Sequence, residues 1–531
     1  MHADLTLYAY ESEATMPFRS PMADVEIPQV SVTELVLGGA TARGDHPALI
    51  DGRTGQTMTY AQLAHSVDRL AAGLAAAGLR PGHVLAVFSP NSLLYPVVFH
   101  AAIAAGATVT TVNALATVKD LRAQLADSGS VILVTISAFL DRAAAAADQV
   151  QEILVCDGAD GYRSVTELMA TADPAPQVAV DPAATLAVLP YSSGTTGVAK
   201  GVMLTHDNLV ANVVQSQQVV KYEPADRVMA VLPFFHIYGL TVLMNMALSA
   251  GATLVVLPRF DLAEFLGALQ DQKVTRAFVA PPIVLALAKH PMVAEYDLSA
   301  LEVVFSGAAP LDGELAQACA DRLGCVVKQG YGMTELSPVS HAQVQGDPRV
   351  KPGTVGPLIP NTLARVVDVA TGDDLGTGQA GEIWIKGPQV MRGYLGRQSD
   401  TDATVDADGW LHTGDVGLVD AEGDWFIVDR VKELIKYKGY QVPPAELEAV
   451  LLGHPGIADA AVVAGRDADG EEIPHAFVAV APGVELSAQD VQDFVAERVA
   501  PYKRVRAVTF VPAIPKSAAG KILRKDLRAQ L

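Results

Sequence analysis

Apolar runs alternate with amphipathic stretches along most of the chain. Five short apolar runs in the middle of the sequence are typical of buried strands: 228–232, 253–257, 277–280, 301–305 and 326–328. The stretches between them have the apolar spacing of helices: 262–270, 282–289 and 311–323. This alternation predicts parallel strand–helix–strand units whose sheets are covered on both faces.

The amino-terminal part of the chain has the same pattern. It predicts helices at 60–77, 92–105 and 117–127 and strands at 84–88, 108–112 and 131–135. Residues 353–429 differ, with short strands, frequent Gly and Asp and a period-two alternation at 381–387, which suits a small β-barrel. The remainder predicts a small α+β unit, with helices at 444–452 and 487–499 and strands at 457–464, 474–480 and 506–511.

The chain has 531 residues, more than one hydrophobic core supports. We therefore expect an α/β protein with a large N-terminal domain of stacked α/β layers plus a small β-barrel, and a small mobile α+β C-terminal domain. The expected divisions are an N-terminal extension at 1–15, α/β subdomains at 16–352, the β-barrel subdomain at 353–431 and the C-terminal domain at 432–531.

Charge and cysteine content narrow the function classes. The net charge of −21 opposes nonspecific binding to nucleic acid or to anionic membranes. Residues 228–258 contain no Asp, Glu, Lys or Arg, but Pro233, Gly239 and Gly251 interrupt them, which favours buried α/β layers over a membrane span. The three cysteines show no metal-binding spacing, and so few of them favour a reduced cytoplasm.

The stretch from Tyr191 to Gly201 carries the strongest chemical signal. Within it, four Ser or Thr residues, two glycines and a lysine follow an apolar run and precede Gly201: Ser192, Ser193, Gly194, Thr195, Thr196, Gly197 and Lys200. Glycines permit close backbone approach, and successive N–H groups, hydroxyls and an ammonium can surround a polyphosphate. The spacing is not that of a Walker A loop. A flexible Ser/Gly linker is the alternative, and the strand-like residues on both sides make it less favourable.

Three further motifs accompany this loop: Tyr331–Glu335 (YGMTE), Thr413–Asp415 (TGD) and Pro515–Lys521 (PKSAAGK). Together, in this order and at these distances, the four motifs resemble those of the adenylate-forming superfamily of acyl- and aryl-CoA synthetases, luciferases and peptide-synthetase adenylation domains. The resemblance extends from about Phe18 to Arg528. It implies an enzyme that binds ATP, Mg²⁺ and coenzyme A and activates a carboxylic acid as an acyl-adenylate.

The resemblance also assigns roles in the nucleotide site. Glu335 is the implied Mg²⁺ ligand, Thr334 contacts the α-phosphate, and Gln329, Gly330 and Tyr331 bind adenine. Asp415 and Arg430 contact the ribose. Lys521 is the implied catalytic lysine, reaching from the small domain to the carboxylate and the α-phosphate. For an isolated motif, three of these residues have an ordinary structural interpretation: Glu335 as a surface Glu, Asp415 as a turn Asp and Lys521 as a solvated tail Lys.

The segment Lys436–Gln441 is implied to serve both half-reactions. Lys436 and Gln441 face the nucleotide during adenylation, whereas Lys438 and Gly439 bind coenzyme A after the small domain turns about the hinge residue Lys432. Arg259 is a further implied coenzyme A contact. Because the chain is acidic, local cations such as these have to attract the polyanionic ligands.

The acid site is implied by residues near the strand ends. His236 resembles a residue that gates the acid tunnel, although a lone His on an apolar stretch is more often structural. Tyr238, Gly307, Ala308 and Gly332 would line the acyl pocket, where small residues leave a flat slot for an aromatic ring. Val242 stands where plant 4-coumarate:CoA ligases have a polar pocket residue, which leaves the ring-hydroxyl preference open.

Segments 234–239, 306–311 and 430–442 are especially similar to 4-coumarate:CoA ligases. Among these, we expect the bacterial enzymes to be the most similar. We therefore expect ligation of a 4-coumarate- or cinnamate-type acid to coenzyme A, releasing AMP and pyrophosphate, by a cytoplasmic monomer or homodimer that binds neither nucleic acid nor membrane. A medium-chain fatty acyl-CoA synthetase and a stand-alone module that loads a carrier protein are the alternatives within the superfamily. The alternative outside this superfamily is a nucleotide-binding regulator without catalytic activity, which would retain the phosphate loop but not Lys521 and Glu335.

Overall fold

A computed structural model describes residues 17–171, 173–192, 199–347, 351–438, 440–467, 470–517 and 520–531. Two eight-stranded sheets, one five-stranded sheet and two small sheets form its framework. The mixed α/β architecture, with a large N-terminal domain and a small C-terminal domain, confirms the predicted fold class.

The first large sheet contains a parallel centre with an antiparallel edge that leads toward the predicted phosphate loop. In spatial order its strands are Gly393–Tyr394, Lys200–Thr205, Leu186–Val188, Thr108–Thr111, Val84–Phe88, Ser130–Thr135 and Glu152–Val155, and Tyr191–Ser192 also pairs with Lys200–Thr205.

The second large sheet is parallel in its interior and antiparallel at both edges. In spatial order its strands are Val339–Ala342, Val326–Gly332, Val303–Ser306, Arg276–Val279, Arg227–Ala230, Thr253–Val256, Pro47–Asp51 and Thr57–Thr59. Since ligands bind at the carboxyl ends of parallel strands, Val279, Ser306 and Gln329 mark the functional edge of this sheet.

The region expected to form a β-barrel contains a five-stranded antiparallel sheet. In spatial order its strands are Phe18–Arg19, Leu363–Val367, Gly381–Lys386, Leu411–Val419 and Trp425–Arg430. Its first strand comes from the beginning of the described chain, a pairing that no local pattern predicts. Phe18 is buried there with its ring edge-on to Trp425, the ring centroids 5.5 Å apart.

The C-terminal domain contains a hairpin and a three-stranded sheet. The hairpin pairs Ile435–Tyr437 with Tyr440–Val442, and the sheet orders Ile457–Arg466, Glu472–Val480 and Ala507–Phe510. The helices of this domain are Pro444–Leu452, Ala488–Ala496 and Arg524–Arg528. Arg524 forms a bidentate ion pair with Glu448 at 2.9 and 2.8 Å, which fixes the last helix to the domain core.

The remaining helices cover the large sheets. They are Val32–Leu37, Ala40–Arg43, Tyr60–Ala76, Leu94–Ala104, Val118–Ser128, Leu140–Ala146, Val165–Met169, His206–Val220, Met246–Ala250, Leu262–Asp271, Pro281–Lys289, Gly313–Leu323 and Gln398–Asp402. Residues Tyr238–Asn245 form a π-helix, a conformation that is rare and frequent at functional sites. Among the described residues, no helix combines the length and apolar character needed to cross a membrane.

The burial of Phe18 yields a stability prediction. Phe18→Ala should lower the free energy of unfolding by about 3–5 kcal/mol, because it leaves a cavity against Trp425. Leu115→Ala is the control, since Leu115 is 71% exposed and its truncation should cost little. Chemical denaturation of the two variants checks this, and equal losses would show that the Phe18 strand does not stabilise the sheet.

Candidate active site

The predicted phosphate loop connects two antiparallel strands. Ser192 pairs with Lys200 in the register of strands Tyr191–Ser192 and Lys200–Thr205. Ser193, Gly194, Thr195, Thr196 and Gly197 lie outside the described residues, so their role as a phosphate loop stays a prediction. The hairpin brings Ser192 and Lys200, at its two ends, to the same place.

Glu335 lies directly beside this hairpin. The hydroxyls of Ser192 and Tyr394 donate hydrogen bonds to Oε1 of Glu335 at 3.1 and 2.9 Å. The residue is buried at the start of a short 3₁₀ turn that begins with Thr334. A single buried carboxylate suits Mg²⁺, which binds mainly through substrate phosphates and needs few protein ligands. Among the described residues no cluster of three or more His, Cys, Asp or Glu side chains forms a metal site.

Lys200 is held by two further groups. Its ammonium lies 3.1 Å from Oδ1 of Asp400 and 4.9 Å from the centroid of the Tyr394 ring. Tyr394 therefore contacts both the lysine and Glu335, and its pKa is raised by burial and by the Glu335 carboxylate. Tyr394 thus holds a cation over its ring and an anion at its hydroxyl.

A second group of polar side chains lies where the five-stranded sheet meets the strand Val326–Gly332. Tyr331 donates a 2.6 Å hydrogen bond to Oδ2 of Asp415, and Nε of Arg430 lies 3.2 Å from Oδ1. Asp415 and Arg430 are direct partners in the register of antiparallel strands Leu411–Val419 and Trp425–Arg430. The sheet therefore positions a two-oxygen acceptor next to a cation, as a ribose-binding pair requires.

Lys521 enters this group from the C-terminal domain. A Cβ atom built on the preceding Gly520 would lie 3.0 Å from the Cβ of Ala280, so the segment rests on the functional edge of the second large sheet. Burial, together with the Arg430 cation, lowers the pKa of Lys521 to about 8, and Asp415 opposes the change. The ammonium is thus held in a poorly solvated position close to both ribose-site residues.

His236 lies within the electrostatic reach of Lys521. Burial lowers the pKa of His236 to about 4, and the Lys521 ammonium contributes in the same direction. The Tyr238 backbone N–H lies 3.3 Å from Nδ1 of His236, which assigns the imidazole proton to Nε2. His236 is consequently neutral near pH 7 and presents a hydrogen-bond donor at Nε2.

Of the predicted acyl-pocket residues, Gly307 lies against the ring of Tyr238. The Tyr238 hydroxyl donates to the Phe305 carbonyl at 3.4 Å, and a Cβ on Gly307 would come within 2.9 Å of the ring. The glycine thus leaves room for this tyrosine. Ala308 has a φ of 72°, and a Cβ on Gly332 would lie 2.1 Å from the Pro338 carbonyl oxygen, so Gly332 permits close packing of two backbone segments.

The neighbouring adenine candidates lie on the strand Val326–Gly332. Gln329 is buried, and its backbone N–H donates to Oε1 of Gln343 at 2.8 Å. A Cβ on Gly330 would lie 3.0 Å from the Phe305 ring, so the absence of a side chain lets Phe305 pack directly against this strand. The strand thus connects Phe305 with the group formed by Tyr331, Asp415 and Arg430.

The described residues predicted to face the nucleotide from the C-terminal hairpin, to bind coenzyme A or to act as the hinge are exposed. Lys436 and Gln441 are exposed direct partners in the C-terminal hairpin, and Lys438, at its tip with a φ of 50°, is exposed as well. Lys432 and Arg259 are also exposed. Gly439 lies outside the described residues.

Comparison with known proteins identifies the family. Residues 39–395 match the model of the AMP-binding enzyme family, and residues 446–521 match its C-terminal domain. The chain belongs to the AMP-binding enzyme family.

Individual relatives of this AMP-binding enzyme match it over nearly their full lengths. It is 42% identical to 4-coumarate–CoA ligase 2 of Oryza sativa subsp. japonica, covering 98% of this chain and 96% of that protein. The 4-coumarate–CoA ligase of Pinus taeda is also 42% identical, with 97% of both chains covered. The crystal structure of ATP-bound MatB from Rhodopseudomonas palustris is 30% identical, with a TM-score of 0.85, covering 94% of this chain and 99% of that one. The protein is thus an acid–thiol ligase that works through an adenylate.

Two residues of the site were not found from the sequence. Tyr394 and Asp400 contact Lys200, and Tyr394 also contacts Glu335, yet neither belongs to the four motifs. They reach the site because the two-residue strand Gly393–Tyr394 pairs with Lys200–Thr205 across a long sequence separation. The only local signal is the short Gly393–Tyr394 pair, which is too common to indicate a site.

The lowered pKa of Lys521 predicts how adenylation depends on pH. The ordinary pKa of lysine is 10.5, so a pKa of about 8 means that the ammonium is lost as the pH rises through 8. We expect kcat/KM for ATP–pyrophosphate exchange to fall above about pH 8, since this parameter reports groups of the free enzyme. Lys521→Arg should be slower but should lack this alkaline decline, because a guanidinium stays charged.

Exchange rates measured between about pH 6.5 and 10 decide the matter. If Lys521→Arg loses activity over the same pH range as the unaltered enzyme, another group titrates there and the Lys521 ammonium is not the required form.

Proposed function

We propose that this enzyme joins a planar aromatic acid of the 4-coumarate or cinnamate type to coenzyme A and releases AMP and pyrophosphate. The observation that carries the proposal is the position of Lys521, which the C-terminal domain places next to Ala280 and within electrostatic reach of Asp415, Arg430 and His236. Relatives named 4-coumarate–CoA ligases, similar over their whole length, support the substrate class.

The chemistry explains why such a site is needed. A carboxylate reacts poorly with a thiol, because its oxygen is a poor leaving group, whereas an acyl-adenylate has a phosphate leaving group. Attack of the carboxylate on the α-phosphate of ATP places negative charge at a crowded phosphoryl centre. Mg²⁺, when bound, neutralises part of the phosphate charge. Glu335 would hold it, and Ser192 and Tyr394 orient that carboxylate.

Lys521 supplies the charge that is needed in the transition state. Its ammonium is already poorly solvated, so little water has to be displaced when the phosphoryl charge develops. Asp415 would accept the two ribose hydroxyls of ATP, with Tyr331 and Arg430 fixing its orientation. Ser192, Lys200, Thr334 and residues 193–197 would contact the phosphates, and Gln329 and Gly330 the adenine.

The second half-reaction needs a different orientation of the C-terminal domain. We propose that the domain turns about Lys432. This rotation would take Lys521, and also Lys436 and Gln441 of the C-terminal hairpin, away from the nucleotide. Lys438 and Gly439 then line the coenzyme A path together with Arg259. A few backbone dihedral changes at a hinge are sufficient for a motion of this kind. The exposure of Lys438 and Arg259 is consistent with a role in the other orientation.

The aromatic acid is favoured by the shape of the acyl pocket. Tyr238, Phe278 and Phe305 form a continuous aromatic surface, with the rings of Phe278 and Phe305 stacked at 5.1 Å. Flat walls of this kind suit a planar ring conjugated to its carboxylate. A medium-chain fatty acid would need a tunnel that extends beyond these rings.

The cellular setting is proposed on the same basis. The cysteines Cys156, Cys319 and Cys325 are free and buried, which suits the reducing cytoplasm. We propose a cytoplasmic enzyme that acts as a monomer or a homodimer on free small molecules.

A panel of acids with ATP, Mg²⁺ and coenzyme A tests the proposal. We expect kcat/KM for 4-coumarate or cinnamate to exceed that for octanoate on the order of 100-fold, because the flat pocket fits the ring and not the flexible chain. Mass spectrometry of the thioester product gives the measurement. Preference for octanoate would favour the fatty acyl alternative, and faster transfer to a phosphopantetheinyl carrier protein than to coenzyme A would favour the loading module.

Lys521→Ala is the control for this panel. It should lower acyl-adenylate formation on the order of 100-fold or more, because it removes a group that acts on the developing charge. Capture of a supplied acyl-adenylate by coenzyme A should change much less. Equal loss of both steps would contradict the two-orientation scheme while leaving the acid assignment to the panel.

A further inference from the structure

The aromatic surface of the acyl pocket continues to a buried tyrosine that the reaction scheme does not use. Phe278 and Phe305 are direct partners in the parallel register and point to the same face of the second large sheet. The Tyr222 ring packs on Phe278 with centroids 5.4 Å apart, and Tyr238 packs on Phe278 at 6.5 Å. Tyr222 and Tyr238 thus contact the same ring.

The strand register gives the depth of Tyr222 in the pocket. Arg276 pairs with Val303, four residues before Gly307, which corresponds to about 13 Å along the strand. The guanidinium of Arg276 lies 5.6 Å from the Tyr222 ring centroid, so Tyr222 occupies the level between Arg276 and Phe278. It therefore lies toward the amino-terminal ends of these strands, away from Lys521, whose segment rests on their carboxyl ends.

The backbone of Tyr222 is held by hydrogen bonds, whereas its hydroxyl has no partner among the described residues. Its N–H and carbonyl both bond to the side chain of Gln217, at 3.3 and 2.7 Å. The residue is 3% exposed, and its hydroxyl oxygen makes no hydrogen bond within the described part of the chain. A buried hydroxyl without a partner is unfavourable, so one that adjoins the aromatic surface of the proposed acyl pocket is able to bind a polar group of the acid.

The surroundings restrict what that partner can be. Arg276 is already bonded to Asp226 at 2.8 Å and to the carbonyls of Val220 and Lys221, so it does not compete for a ligand. Burial raises the pKa of Tyr222 well above its ordinary value, so the hydroxyl remains a neutral donor and acceptor. Val242, in the same π-helix as Tyr238, is buried and offers no hydrogen bond.

We propose that the Tyr222 hydroxyl hydrogen-bonds to a polar substituent, such as a 4-hydroxyl, at the far end of the aromatic ring of the acid. Tyr222 is thereby the residue that distinguishes 4-coumarate from unsubstituted cinnamate, an assignment that rests on the function proposed above. A site built to hydrogen-bond a substrate hydroxyl discriminates against the analogue that lacks it, because its own polar group is then left unpaired.

Tyr222→Phe tests the assignment, because it removes one oxygen and keeps the ring on Phe278. We expect kcat/KM for 4-coumarate to fall about 10-fold, as for the loss of one hydrogen bond in a buried site. The value for cinnamate should stay within about twofold or rise, since the ring contacts persist. Both acids are measured by thioester formation with saturating ATP and coenzyme A.

Tyr95→Phe is the matched control, since Tyr95 is also buried with an unpartnered hydroxyl and packs on Phe234. It should leave the ratio of the two acids unchanged. If Tyr222→Phe also leaves that ratio unchanged while both acids are used, the hydroxyl binds only a structural water and the assignment is wrong. If the unaltered enzyme uses neither acid, the function proposed above is wrong and this inference fails with it.

Discussion

The orientation of the C-terminal domain over the second large sheet is the constraint on which the site depends. Three contacts mark it: Gly520 lies against Ala280, Nζ of Lys289 reaches the Leu452 carbonyl at 3.5 Å, and Asp429 accepts the Ala445 N–H at 2.8 Å. The last contact joins the final strand of the five-stranded sheet to the first turn of the helix Pro444–Leu452. Without this orientation Lys521 would be a solvated lysine, and Asp415 and Arg430 would form an ordinary ion pair.

Burial of Lys521 also explains how an acidic protein can bind a polyanion. A net charge of −21 repels ATP at long range, where salt screens the repulsion, whereas a poorly solvated ammonium acts at short range. Two other cations of the site are each held by a neighbour: Arg430 by Asp415, and Lys200 by Asp400 and the Tyr394 ring. Local pairing of this kind positions positive charge before the substrate arrives and reduces reorganisation during the reaction.

Sequence patterns predicted the elements well where the signal is local. The strand Val84–Phe88 and the helix Pro444–Leu452 begin and end where hydrophobic periodicity places them. Asp415 and Arg430 are direct partners in an antiparallel register. Their spacing along the sequence was therefore enough to predict that they lie together. Contacts between distant segments were not predictable. They are the pairing of the Phe18 strand with Leu363–Val367, the approach of Tyr394 and Asp400 to Lys200, and the packing of the Tyr222 ring on Phe278. The π-helix Tyr238–Asn245 was also missed, because its apolar residues fit an α-helix equally well.

A reversible disulfide between the domains tests the central claim most directly. A Cβ on Gly520 would lie 3.0 Å from the Cβ of Ala280, so Ala280→Cys/Gly520→Cys can form a disulfide once the two segments separate slightly. Gly520 has a φ of 81°, and the strain of a side chain there is common to the oxidised and reduced forms. The oxidised double variant should form acyl-adenylate as fast as its reduced form but should lose thioester formation, which reduction restores. The reduced form controls for the substitutions themselves. Equally fast thioester formation in the oxidised and reduced forms would show that one orientation of the C-terminal domain serves both half-reactions.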